Sequence, residues 1–150
     1  PITNPDAVAE VRDKSPIPVC VGEMFTAEQA RLFIDRRACD IIHPDVLFTG
    51  GLHETRKIAD YADLNYIPMA LHNNGGAVAT IAAAHVAAAT PDFIGLECHF
   101  QGAPWVETLV RRDRPLFEDG HLQLTDRPGL GFELDQDACR EHLAQGETLF

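Results

Sequence analysis

The stretch "DIIHPDVLFTGGLHETRKIADYADLNYIPMALH", residues 40–72, holds one complete unit of the fold. It opens on an apolar run, "DIIHPDV" (40–46), that breaks at Gly50 and Gly51. "HETRKIADYADL" (53–64) then sets Ile58, Tyr61 and Ala62 on one helical face, and "IPMALH" (67–72) is apolar again. The expectation is strand, helix, strand. Two strands joined this way run parallel, because a parallel neighbour needs a crossover connection and a helix usually supplies it.

The unit repeats on both sides. Upstream, "IPVCVGE" (17–23) reads as a strand and "TAEQARLFIDRR" (26–37) as a helix. Thr26 and Gln29 stand at capping-box spacing, and Ala30, Phe33, Ile34 and Arg37 recur at helical intervals. Downstream, "GAVATIAAAHVAAAT" (76–90) is an alanine-rich helix apolar on most sides, which places it between neighbours, and "FIGLE" (93–97) is a fourth strand. Short strands alternating with helices predict a parallel α/β architecture.

The strand ends separate an open sheet from a closed barrel. Each apolar run ends on an ionisable side chain: Glu23, Asp45, His72 and Glu97. An open sheet gathers its ligand groups at one switch point between two strands. A barrel turns every strand's C-terminal end toward one mouth, so one polar group per strand favours the barrel. Four strands are half of a ring. Upstream residues or the association of half-barrels would complete it, since open parallel edges are a liability.

After Glu97 the pattern changes. "FEDGHLQLTDRPGLGFELD" (117–135) carries a D-G turn between alternating residues and then a P-G-L-G turn, which reads as an antiparallel hairpin. "DQDACREHLAQG" (135–146) reads as a short terminal helix. The segment is expected to form a lid or cap, with Trp105 as its anchor.

Composition bounds the rest. The chain has 150 residues, 45% hydrophobic and 23% charged, enough for one soluble core. Its 23 acidic and 12 basic residues give a net charge of -11, which argues against nucleic acid as a partner. Cys20, Cys39, Cys98 and Cys139 form no CxxC pair, so they are expected as buried thiols in a reducing compartment, the cytoplasm. No apolar run reaches the roughly 18 residues of a membrane span. No basic-then-apolar leader opens the chain, although "PITNPDAVAEV" reads like the middle of something.

Asp45 and His72, on adjacent strand ends, can form an oriented dyad. The carboxylate would fix the tautomer and stabilise the imidazolium that forms when His72 takes a proton. Glu23 offers an accessible carboxylate suited to a hard divalent cation, which one carboxylate alone would hold weakly. Glu97 suits a contact to a substrate oxygen, or a carboxylic acid kept protonated so that it donates a hydrogen bond. Together they suit removal of a proton next to a carboxylate.

Plainer roles compete with these. A strand-end Asp is commonly the cap of the next helix, and Glu23 can be a helix N-terminal charge. His85 reads as core or interface and His53 as a helix-start residue. His43 can reach the mouth, and His99 follows Glu97 by two on the same face. Asn73, Asn74, Gly75 and Gly76 make either a tight turn or an anion site at a helix N-terminus.

"VGE", "HPDVLFTGGLHETRKIADYA", "ALHNNGG", "FIGLE" and "DRPGLGFELD" together resemble the second half of an enolase-superfamily member of the mandelate racemase subgroup, particularly its acid-sugar dehydratases. The likeness runs over nearly the whole chain. It implies a modified (β/α)7β TIM-type barrel, with residues 1–99 as its second half and residues 100–150 contributing to a capping domain. It implies Mg2+ held by three carboxylates on consecutive strands, Glu23 matching the third. Asp45 and His72 match the catalytic dyad and Glu97 the residue contacting the substrate carboxylate.

Lys57 lies on a helix, so relatives that use a lysine at the sixth strand are a poorer match. The first two metal ligands have no counterpart here, and the acid that expels the leaving group is expected to lie with them in the other half of the barrel. The implied activity is magnesium-dependent dehydration of a sugar acid to a 2-keto-3-deoxy acid by a homo-oligomeric lyase. Racemase, epimerase or cycloisomerase chemistry and a non-catalytic half-barrel are the alternatives.

Overall fold

The computed structural model describes residues 3–99 and 103–149. Helix α1 (Pro5–Lys14) comes first, a helix the sequence reading missed although its signals are present. Asn4 caps it by accepting from Ala7 N at 3.0 Å, proline stands in the first turn, and Arg12 and Lys14 lie in the last turn, where the helix dipole favours cations. Asp40 ties this helix to the sheet. Its carboxylate accepts from Arg12 Nε and from Val19 N, both at 2.8 Å, and these bonds hold its pKa below the ordinary 3.8.

Four units follow: β1 (Cys20–Val21) and α2 (Ala27–Asp35); β2 (Ile41–Ile42), the one-turn α3 (Val46–Thr49) and α4 (Leu52–Leu64); β3 (Met69–Leu71) and α5 (Ala77–Ala88); and β4 (Phe93–Leu96). The strands form one sheet in the order β1-β2-β3-β4, every pair parallel. Sequential order without a reversal is barrel-wall topology; a doubly wound sheet would show a switch point. The capping box of α2 is complete, with Thr26 accepting from Gln29 N and Gln29 accepting from Thr26 N.

Helices α2, α4 and α5 pack side by side, and Phe33, Ile34, Ile58 and Ala62 enclose Ile42, Met69 and Leu71 in the main core. The intervening strand positions face away from the helices, so Cys20 and Ile94 are exposed. The expectation of buried thiols is therefore corrected. Of the four cysteines Cys39 alone is buried, and burial pushes its thiol up to about 12. Cys98 and Cys139 are half-buried.

The C-terminal segment contains a 3-10 helix (Pro104–Leu109), β5 (Val110–Arg111), β6 (Phe117–Glu118), β7 (His121–Leu122), β8 (Glu133–Leu134) and α6 (Gln136–Glu141). Asp119 and Gly120, at φ +50° and +75°, make the tight turn of the β6–β7 hairpin, a geometry open to Asp-Gly. Beyond the P-G-L-G turn the chain does not extend that hairpin. It returns to pair β8 antiparallel with β5, and Asp135 N donates to Leu109 O at 2.9 Å.

Trp105 is not the buried anchor of this segment. It is 43% exposed and stacks on His142, ring centroids 4.1 Å apart. Val106, Val110 and Leu116 do the anchoring instead, in a second core with Ala77 and Ile81 of α5. His85 of α5 adds a contact from Nε2 to Leu130 O at 3.3 Å, as an interface histidine would. Among the described residues no helix is long and apolar enough to cross a membrane.

Candidate active site

The C-terminal ends of β2, β3 and β4 bring Asp45, His72 and Glu97 together. Backbone bonds past the ladder set the register: His72 N donates to Pro44 O at 3.1 Å and Glu97 N to Leu71 O at 2.9 Å. These place each strand-end side chain beside its neighbour's.

Asp45 is 1% exposed and serves two elements. Its Oδ1 accepts from Leu47 N at 2.7 Å, capping α3, and its Oδ2 lies 2.7 Å from His72 Nδ1. One carboxylate thus makes both the helix cap and the contact to the imidazole. An ionised carboxylate only accepts, so Nδ1 of His72 carries the proton of this bond and Nε2 is the ring atom left to exchange a proton at the rim. The helix cap holds Asp45 still, and Asp45 orients the ring.

Glu97 closes the other side. Its Oε1 lies 2.5 Å from His99 Nε2, and its Oε2 lies 3.6 Å from His72 Nε2 and 3.3 Å from His43 Nε2. Desolvation, the largest influence, raises its pKa. The His99 hydrogen bond and the charges of His72, His99 and His43 outweigh it and hold Glu97 below the ordinary 4.5. Glu97 is therefore a carboxylate at neutral pH, which corrects the reading of a protonated, donating acid.

Glu23 stands apart from this cluster. It lies exposed in the turn after β1, one residue past Gly22. Gly22 has φ +134°, and a Cβ there would come within 3.1 Å of His43 N, so glycine suits both the conformation and the close approach. Among the described residues no group of three His, Cys, Asp or Glu could hold a metal ion. Glu23 fits Mg2+ as one hard oxygen donor, and the described residues add no second ligand to it.

Sequence reasoning left His43 undecided and placed Asn73 in a run that makes either a tight turn or an anion site at a helix N-terminus. His43 meets the His72 ring edge-on, centroids 5.5 Å apart. Its signal was its position two residues before Asp45, on the same face of an extended chain. Asn73 is 2% exposed. Its Nδ2 donates to Thr80 Oγ1 at 2.8 Å and to Glu97 O at 3.1 Å, and its Oδ1 accepts from Gly75 N.

Asn73 therefore builds the turn from β3 into α5 and pins the backbone of Glu97. Asn73→Ala strips a part-buried carbonyl and a buried hydroxyl of their donor. A loss of about 2–3 kcal/mol is expected, read as a lower urea midpoint. An apolar cavity of about 440 Å³ lies away from this rim, between α5, β4 and the β6–β7 hairpin, lined by Ala88, Phe93, Leu96 and Leu122. The ionisable cluster sits instead at the uncovered strand ends, which an isolated four-stranded sheet does not enclose.

Residues 1–138 match the model of a family described as enolase C-terminal domain-like. Over its whole length the chain is 43% identical to 36% of the D-xylonate dehydratase of Haloferax volcanii. Over 91% of its length it is 30% identical to 36% of the arabinonate dehydratase of Saccharolobus solfataricus. A solved structure of a mandelate racemase/muconate lactonizing enzyme-like protein from Rubrobacter xylanophilus superposes with TM-score 0.93 at 44% identity, over 97% of this chain and 38% of that one. The chain thus spans little more than a third of the length of these relatives.

Proposed function

The chain belongs to the enolase C-terminal domain-like family, and from that premise we propose that the protein carrying it dehydrates a sugar acid. The observation that carries the reading is the 2.7 Å contact between buried Asp45 and His72 Nδ1, which leaves Nε2 directed into the strand-end rim. The dehydratase names of the two curated relatives support sugar acids as the substrate class.

In this mechanism His72 Nε2 takes the proton from the carbon next to the substrate carboxylate. Asp45 keeps Nδ1–H in place and stabilises the imidazolium that results. The C–O bond at the neighbouring carbon breaks, and its hydroxyl leaves as water by taking the proton that His72 Nε2 has just acquired. The enol left behind takes a proton there and becomes a 2-keto-3-deoxy acid. Glu97 receives the substrate's polar groups at the rim.

Glu23 would supply one ligand to Mg2+, whose charge, when bound, stabilises negative charge growing on the substrate carboxylate. We assign residues 100–150 to the cap over the mouth, a reading supported by the packing of Val106, Val110 and Leu116 against α5. A cytoplasmic homo-oligomer completes the proposal.

Racemase, epimerase or cycloisomerase chemistry is the second reading, favoured by the mandelate racemase and muconate lactonizing likeness. It shares the first step and differs in the fate of the enediolate. A panel of sugar acids given to the intact protein with Mg2+ separates the two. Ketone formation is the expected result, solvent deuterium at the α-carbon without loss of water favours the second reading, and neither event with any acid contradicts both.

A further inference from the structure

We propose that His43 is a positioning residue that shares the Glu97 carboxylate and thereby keeps His72 free to act as a base. The inference rests on the reading of His72 as the proton acceptor. His72 stands between two carboxylates, Asp45 Oδ2 at 2.7 Å from Nδ1 and Glu97 Oε2 at 3.6 Å from Nε2. Two anions around one imidazole favour its doubly protonated form, which has no lone pair to take a proton. A base in that setting needs one carboxylate occupied elsewhere.

The structure supplies the competitors. His43 Nε2 is nearer to Glu97 Oε2, at 3.3 Å, than His72 is, and His99 holds Oε1 at 2.5 Å. Backbone bonding fixes His43 where it can do this, since His43 N donates to Val21 O at 2.8 Å and Pro44 follows it. Asp45, Glu97 and the His43 ring are the ionisable groups against His72 from the neighbouring strand ends. His99 acts on it through Glu97, and the thiol of Cys20 on β1 also feels the Glu97 charge.

Two buried atoms of this pair are left without hydrogen-bond partners, His43 Nδ1 and Glu97 Oε2. The His43–Glu97 contact is thus close but not yet aligned, as site contacts often are before substrate tightens them. An unpartnered buried carboxylate oxygen and an unpartnered ring nitrogen at a strand-end rim mark a working site rather than a finished structural bridge.

The test reads histidine protonation directly and needs no substrate, so it can fail independently of the proposed reaction. In the full chain labelled with 15N-histidine, His43→Phe keeps a ring of similar size and removes the donor. The pH midpoint of the His72 resonances should rise by about one unit. His43→Gln, which retains a donating amide, should restore much of the difference. In a Glu97→Gln background the His43→Phe effect should vanish, because the shared carboxylate is gone.

An unchanged or lowered His72 midpoint in His43→Phe overturns the proposal. So does a rise that persists in the Glu97→Gln background, since His43 would then act on His72 without the carboxylate. Should His43→Phe fail to fold, the Glu97→Gln and His43→Gln chains carry the decision. Glu97→Gln must lower the His72 midpoint, and His43→Gln must leave it near the unsubstituted value; the opposite in either overturns the proposal.

Discussion

His72→Asn in the intact protein is expected to lower kcat/KM for a sugar acid by about 10²–10⁴-fold, with the loss in kcat rather than in KM. Asparagine keeps a side-chain amide that can still donate to Asp45, so the dyad's ground-state geometry changes little. What disappears is the lone pair at Nε2, directed away from the helices toward the rim. Stability should change little, because His72 is half-buried and packs at the strand end rather than in the main core. Steady-state kinetics with a matched urea melt checks both halves of the expectation.

Asp45 gives the second large effect, and a pair of substitutions divides its two roles. Asp45→Asn keeps an oxygen for Leu47 N, so the cap of α3 survives, but the negative charge opposite His72 Nδ1 is lost. With its oxygen on Leu47 N, the amide presents its NH2 group to Nδ1 and forces the proton onto Nε2, the wrong tautomer for a base. A fall in kcat of about 10²–10⁴-fold is expected with a nearly unchanged melt.

Asp45→Ala removes the cap as well. It should lower kcat to a similar extent and in addition cost about 1–2 kcal/mol of stability. If both variants lose the same stability, the cap is not what holds the carboxylate. If Asp45→Asn keeps full activity, the carboxylate is structural and the dyad has no role.

Much of the fold was legible because its signals are local. The repeat of apolar run and helix, the Thr26–Gln29 box and the Asp119–Gly120 turn each act within a few residues, and each appears in the structure. Strand lengths were overread. The apolar run from Ile17 begins before the ladder does, because Pro16 and Pro18 offer no N–H and Val19 N goes to the Asp40 side chain. Pro44 likewise ends β2 early, and the chain turns at once into α3.

Long-range choices were not legible. Alternation in residues 117–135 predicts strands but not that β8 leaves its hairpin for β5, a choice set by packing against Leu109 and α5. The site divides similarly. That Asp45, His72 and Glu97 lie side by side was legible because each ends a strand of one repeat. Sequence spacing could not reveal that Glu97 is ionised, since three imidazoles from separate segments set its charge state. Nor could spacing draw Glu23 into the cluster, and the described residues leave it apart.

The most direct measurement follows the fate of a single hydrogen. The intact protein is given a sugar acid bearing deuterium at the α-carbon in ordinary water, and the 2-keto-3-deoxy product is examined by NMR. The account predicts that the deuterium is lost to solvent, that the new hydrogen at C3 comes from water, and that neither happens at a measurable rate with His72→Asn. Deuterium retained at C3 of the product, or undiminished turnover in His72→Asn, would contradict it.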